Sequence, residues 1–105
     1  MPISTIEDAI SDIRDGKMVI LVDDKDRENE GDLVVAAEYA SAETINFMAK
    51  HGRGLICLAV TKDNADRIGL QPRKPEYNPD PQYTEFTISI DACNGINTAL
   101  SAFDR

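Results

Sequence analysis

The chain has 105 residues, enough for one domain and too few for two large ones. Hydrophobic residues make up 42% and charged residues 29%, which excludes a disordered polyelectrolyte and a membrane-spanning bundle. Eleven Lys and Arg against nineteen Asp and Glu leave a net charge of −8, so nucleic acid and anionic membranes are not expected as partners.

Ser4 and Glu7 have capping-box spacing, and Ile6, Ala9, Ile10 and Ile13 recur at three and four, which predicts an amphipathic helix over 5–15. Gly16 suits its C-terminal stop. Met18–Val22 is a continuous apolar run, far short of the roughly 20 residues that cross a bilayer, and reads as a strand buried on both faces. Leu33–Ala37 is a second short apolar run. Ser41 caps a helix carrying Ile45, Phe47, Met48 and Ala49, stopped at Gly52. Leu55–Val60 reads as a third buried strand, and Thr61 caps a short helix over 62–68. Four of the five prolines fall within 71–82, which predicts a long loop. Glu85–Asp91 alternates, with Phe86, Ile88 and Ile90 on one face, as a half-exposed strand does. Asn94-Gly95 is a turn signal, and Ser101–Arg105 looks like the first turn of a helix. This order predicts an α+β fold, a mixed sheet with helices packed on it.

The N-terminus lacks the basic flank and apolar stretch of a signal peptide, so a cytoplasmic location is expected, with Cys57 and Cys93 as free thiols. A single histidine, His51, excludes a Cys/His metal cluster, and its place at a helix end suits a C-terminal cap.

Residues 23–32 concentrate the charge: six acids lie there with Lys25 and Arg27. Asp24, Asp26, Glu28, Glu30 and Asp32 alternate, and extended backbone would set all five on one face. Like charges so close repel unless a hard divalent cation such as Mg²⁺ sits among them. A solvated acidic loop is the plain alternative. A calcium loop of the EF-hand type fails, because counting from Asp24 puts Asn29 where glycine is needed and Val35 where a bidentate Glu is needed. Arg27 adds forked donors suited to phosphate, and Glu30 or Asp32 could take a proton α to a carbonyl. Such a site suits enolisation of a phosphorylated sugar without naming it. Asp23 reads as a strand terminator.

The segment Asp23–Asp32, Asp-Asp-Lys-Asp-Arg-Glu-Asn-Glu-Gly-Asp, resembles the signature of the 3,4-dihydroxy-2-butanone 4-phosphate synthase family. His51-Gly52-Arg53-Gly54 leading to Cys57, Thr84–Thr87 and Ser101–Arg105 resemble later motifs of that family, in the same order. The resemblance implies an α+β fold, a homodimer, and conversion of ribulose 5-phosphate to 3,4-dihydroxy-2-butanone 4-phosphate and formate with Mg²⁺ or Mn²⁺. It implies Glu28 as metal ligand, Arg27, Glu28 and Asp32 as substrate contacts, Glu30 and Asp32 as acid–base groups, and Cys57 and Thr98 in the pocket. Cys57 also reads as a small buried hydrophobe, and Asp104 and Arg105 as either an ion pair or site-facing groups.

Several positions depart from the family pattern. Asn97 and Ala99 stand where the family has Thr and Gly, Tyr83 where it has Gly, and Pro79 where it has Thr. The family's Arg-Pro-Gly-His segment, whose histidine is a second metal ligand, has no counterpart here. The resemblance therefore implies part of a synthase domain over 1–105, with little activity by itself and a tendency to self-associate. An inactive half-domain serving as a binding or assembly module is the alternative.

Overall fold

The computed structural model describes residues 2–73 and 86–105. Helix α1 spans Ile6–Arg14 and is capped by Thr5, whose Oγ1 accepts the Asp8 N–H at 3.2 Å. The cap thus lies one residue after Ser4, because Thr5 with Asp8 satisfies the same chemistry. An N-cap hydroxyl of this kind contributes about 1 kcal/mol. Gly16 ends the helix in left-handed backbone, φ +78°, with its N–H on Ile13 O and that of Lys17 on Asp12 O. A Cβ at Gly16 would also stand 2.9 Å from the Tyr39 ring.

Strand β1 (Val19–Val22) pairs antiparallel with β2 (Gly31–Val34), Val19 opposite Val34 and Val22 opposite Gly31. Strand β2 therefore starts inside the acidic segment, two residues before the apolar run. A 3₁₀ turn (Ala37–Tyr39) leads to α2 (Ala42–Phe47), which Ser41 caps through the Thr44 N–H at 3.1 Å. The chain then widens into one π turn, Met48–Gly52, closed by Arg53 at φ +58°. His51 lies in that turn with its ring 4.6 Å from that of Phe47. Helix α3 (Lys62–Arg67) is capped by Thr61 as expected.

The sheet differs from the mixed one anticipated. Among the described residues it has two strands, both in the hairpin. Leu55–Val60 forms no strand, and Leu55 and Leu58 are 76% and 59% exposed. A strand is a property of a pair, and this segment has no ladder partner among the described residues. Of the alternating run, Glu85 lies outside the described residues; 86–91 makes only an isolated bridge, Thr87 to Pro72. The Arg73 N–H donates to Phe86 O at 2.7 Å beside that bridge. The proline loop beyond Arg73, with Pro79 and Tyr83, also lies outside the described residues.

Burial is sparse. Ile45 and Leu70 are the buried apolar residues among those described, and β1 leaves Ile20 and Val22 exposed rather than covered on both faces. The radius of gyration is 15.4 Å, against about 13 Å for a compact domain of this size.

Candidate functional site

The acidic segment does not run extended. Residues 25–28 turn, so its five alternating carboxylates do not share one strand face. Local side-chain chemistry overrides the period of two. Asp23 folds back into the loop it begins. Its Oδ2 accepts the Glu28 N–H at 3.0 Å and its Oδ1 accepts the Glu30 N–H at 2.7 Å. The Arg27 Nη1 donates to the same carboxylate at 3.0 Å. The Asp23 N–H in turn reaches Glu30 O at 3.2 Å, which prolongs the hairpin pairing. Asp24 makes a second small turn, Oδ1 accepting the Asp26 N–H at 2.9 Å. Asn29 takes the left-handed conformation, φ 51°, that closes the loop.

Strand pairing thus sets the two ends of the loop and Asp23 sets its middle. Donation from the Glu30 amide, then from the Glu28 amide and Arg27, holds the Asp23 carboxyl below its ordinary value of 3.8, against the opposing effect of partial burial. The loop brings Arg27 and Glu28 together, Nη2 to Oε1 at 3.3 Å, with Glu28 half-buried. Glu30 leaves the loop on the residue before β2. Asp32 is exposed on β2, opposite Leu21.

The pocket residues stand apart from this cluster in their bonding. Cys57 is exposed, not buried, and its thiol donates to Leu55 O at 3.8 Å. Thr98 sits in a bend over 97–99, its hydroxyl accepting the Leu100 N–H at 3.4 Å. A hollow of about 180 Å³ lies elsewhere, between the start of α2 and residues 102–105, and Arg27 and Glu28 do not line it.

The family model of 3,4-dihydroxy-2-butanone 4-phosphate synthase matches residues 7–105. The chain belongs to that family. It is 58% identical over 104 residues to the riboflavin biosynthesis protein RibBA of Aquifex aeolicus, covering 97% of this chain and 25% of that protein. It is 52% identical over 105 residues to the 3,4-dihydroxy-2-butanone 4-phosphate synthase of Pseudomonas aeruginosa, covering all of this chain and 28% of that one. The chain spans about a quarter of the length of these curated relatives. Among solved structures, a 3,4-dihydroxy-2-butanone 4-phosphate synthase in complex with two magnesium ions superposes with a TM-score of 0.89 at 37% identity, over 97% of this chain and 47% of that one. A two-domain synthase from A. baumannii superposes at 0.83 with 46% identity, over 96% of this chain and 29% of that one. Likeness to these synthases supports the α+β class.

The donor chemistry of the family segment suits a hard cation, since its side chains offer carboxylate oxygens. The donor number does not. Among the described residues no three Asp, Glu, His or Cys side chains converge as a metal site. Mg²⁺ keeps its waters unless several ligands are preset, so the described residues by themselves do not present a preset site for the ion.

Two organising residues escaped the sequence reading. Asp23 is not a mere strand end, and the signal was available: an Asp just before a turn bonds to backbone amides further on. The sequence reads Asp104 as either an ion-pair partner or a site-facing group. Its Oδ2 accepts the Asn97 N–H at 3.3 Å and the Ala99 N–H at 3.1 Å.

Proposed function

We propose that these residues form part of a 3,4-dihydroxy-2-butanone 4-phosphate synthase, acting on D-ribulose 5-phosphate to release formate. The observation that carries this reading is the Arg27–Glu28 pair, held by Asp23 in a segment that matches the family. In this reading Arg27 binds anionic oxygens of the substrate with its forked donors. Glu28 is the metal ligand of this chain and also faces substrate. Asp32 contacts substrate, and Glu30 or Asp32 takes the proton α to the ketose carbonyl that begins enolisation. Cys57 and Thr98 line the pocket. A bound Mg²⁺ or Mn²⁺ would supply polarisation of substrate oxygens. The protein works in the cytoplasm as a homodimer in this proposal, and residues 1–105 are one part of the synthase domain.

The exposed Leu55–Val60 segment and the shortage of converging metal donors favour a second reading, a half-domain that binds or assembles without catalysis. A formate assay separates the two. The chain is given ribulose 5-phosphate and Mg²⁺ alone, and again when exchanged for the corresponding residues of the Pseudomonas aeruginosa synthase. The expected result is no formate from the chain alone and formate from the exchanged enzyme. An inert exchanged enzyme with an intact fold would favour the binding module.

A further inference from the structure

We propose that Asp104 is a positioning residue for Thr98, an inference that rests on the synthase reading of Thr98 as substrate-facing. The two amides that Asp104 accepts, those of Asn97 and Ala99, bracket Thr98 in the chain. Ala99 is left-handed, φ 62°. An alanine gains nothing from that conformation, because its Cβ crowds the following carbonyl. The carboxylate offsets the strain by satisfying both amides at once.

Two amides separated by one residue converge on one carboxylate oxygen, as in a small anion nest, and here the chain's own carboxylate fills it. Asp104 is itself held, its N–H on Ser101 Oγ at 3.1 Å while the Arg105 N–H reaches Ser101 O at 3.1 Å. The Thr98 oxygen accepts from Leu100, which leaves the hydroxyl hydrogen free to donate outward. The filled nest repels a phosphate. Thr98 therefore addresses a neutral hydroxyl or carbonyl oxygen of the sugar, and the phosphate lies elsewhere.

The test uses the 105-residue chain, exchanged for the corresponding residues of the Pseudomonas aeruginosa synthase and given Mg²⁺, with Asp104→Ala and Asp104→Asn, each with and without Ala99→Gly. Nuclear magnetic resonance reads amide exchange at Asn97 and Ala99, the sign of φ at position 99, and the response of Thr98 to ribulose 5-phosphate. In Asp104→Ala the exchange rises about tenfold, position 99 leaves the left-handed region, and the Thr98 response is lost. Asp104→Asn, which keeps an acceptor, loses less. Adding Ala99→Gly restores the turn and the response, because glycine adopts that backbone freely. Unchanged amides in α1 and α3 show that the fold persists.

A left-handed Ala99 in Asp104→Ala overturns the proposal, as does a lost turn with an unaltered Thr98 response. Silence of Thr98 in the unsubstituted chain, with Arg27 and Glu28 responding, also overturns it and leaves the synthase reading standing. Silence of all three overturns the synthase reading and the proposal with it.

Discussion

The loop at 23–30 and the loop at 97–104 use one device in two settings. In each, an aspartate accepts two backbone N–H groups beside a left-handed residue. Asp23 accepts from Glu28 and Glu30, on either side of Asn29 at φ 51°. Asp104 accepts from Asn97 and Ala99, itself at φ 62°. The settings differ. The first loop is clamped at both ends by β1 and β2, and its left-handed residue is an asparagine, which tolerates that region. The second has only the turn at 101–105 behind it, and its left-handed residue is an alanine. Where strands set the ends, the aspartate refines a loop. Where they do not, the aspartate determines it.

The largest effect should come from removing the first aspartate. Asp23→Ala strands the Glu28 and Glu30 amides and takes one partner from Arg27, so exchange at both amides should rise tenfold or more, by rough reckoning from bonds to a charged acceptor. Amides of β1 and β2 should hold. If they melt as well, the strands do not set the ends and the contrast between the loops is lost. Acid should act on the same bonds. The Asp23 carboxyl is held below 3.8, chiefly by the Glu30 amide. Its bonds are therefore fully present above that value and lost as pH falls below it through the lowered folded value. Exchange at Glu28 and Glu30, corrected for its intrinsic pH dependence, should increase in that window. An increase that begins well above it would assign the loop to other carboxylates.

The same local chemistry explains what the sequence disclosed. Helix caps depend on a few adjacent residues, and Ser41 and Thr61 stand where the sequence placed them. The slip from Ser4 to Thr5 is a choice between two hydroxyls with equivalent spacing. Ala99 was legible too, because a family glycine replaced by alanine flags a positive φ, and the structure has one. The family itself was legible in ten residues, the path of those residues was not. Alternating acids predict a shared face only if the backbone stays extended, and Asp23 and Asp24 offered it turns instead. Leu55–Val60 misled for the opposite reason. Its composition is that of a buried strand, but burial and pairing come from partners that composition does not contain.

Relieving the strained alanine should have the next largest effect. Ala99→Gly removes a left-handed penalty and returns some chain entropy, for a net gain of about 1 kcal/mol in local opening at the second loop. Slower exchange at Asn97 and Ala99 would show it, with the first loop unmoved. A loss of protection would mean that the entropy glycine adds to the open loop outweighs the left-handed penalty it removes, and that Ala99 is not strained.

The smallest effect sharpens the contrast most, because it makes the same change at the matching place. Asn29→Gly also puts glycine at a left-handed position. Asparagine already visits that region, since its short amide bonds to nearby backbone. The penalty removed is therefore small, and the entropy that glycine adds to the unfolded chain opposes the gain. The two should cancel to within about 0.5 kcal/mol. Amide exchange at Glu28 and Glu30 measures the balance directly. A gain as large as that of Ala99→Gly would show that Asn29 is strained as Ala99 is, and that clamping by β1 and β2 does nothing to relieve a left-handed residue between them.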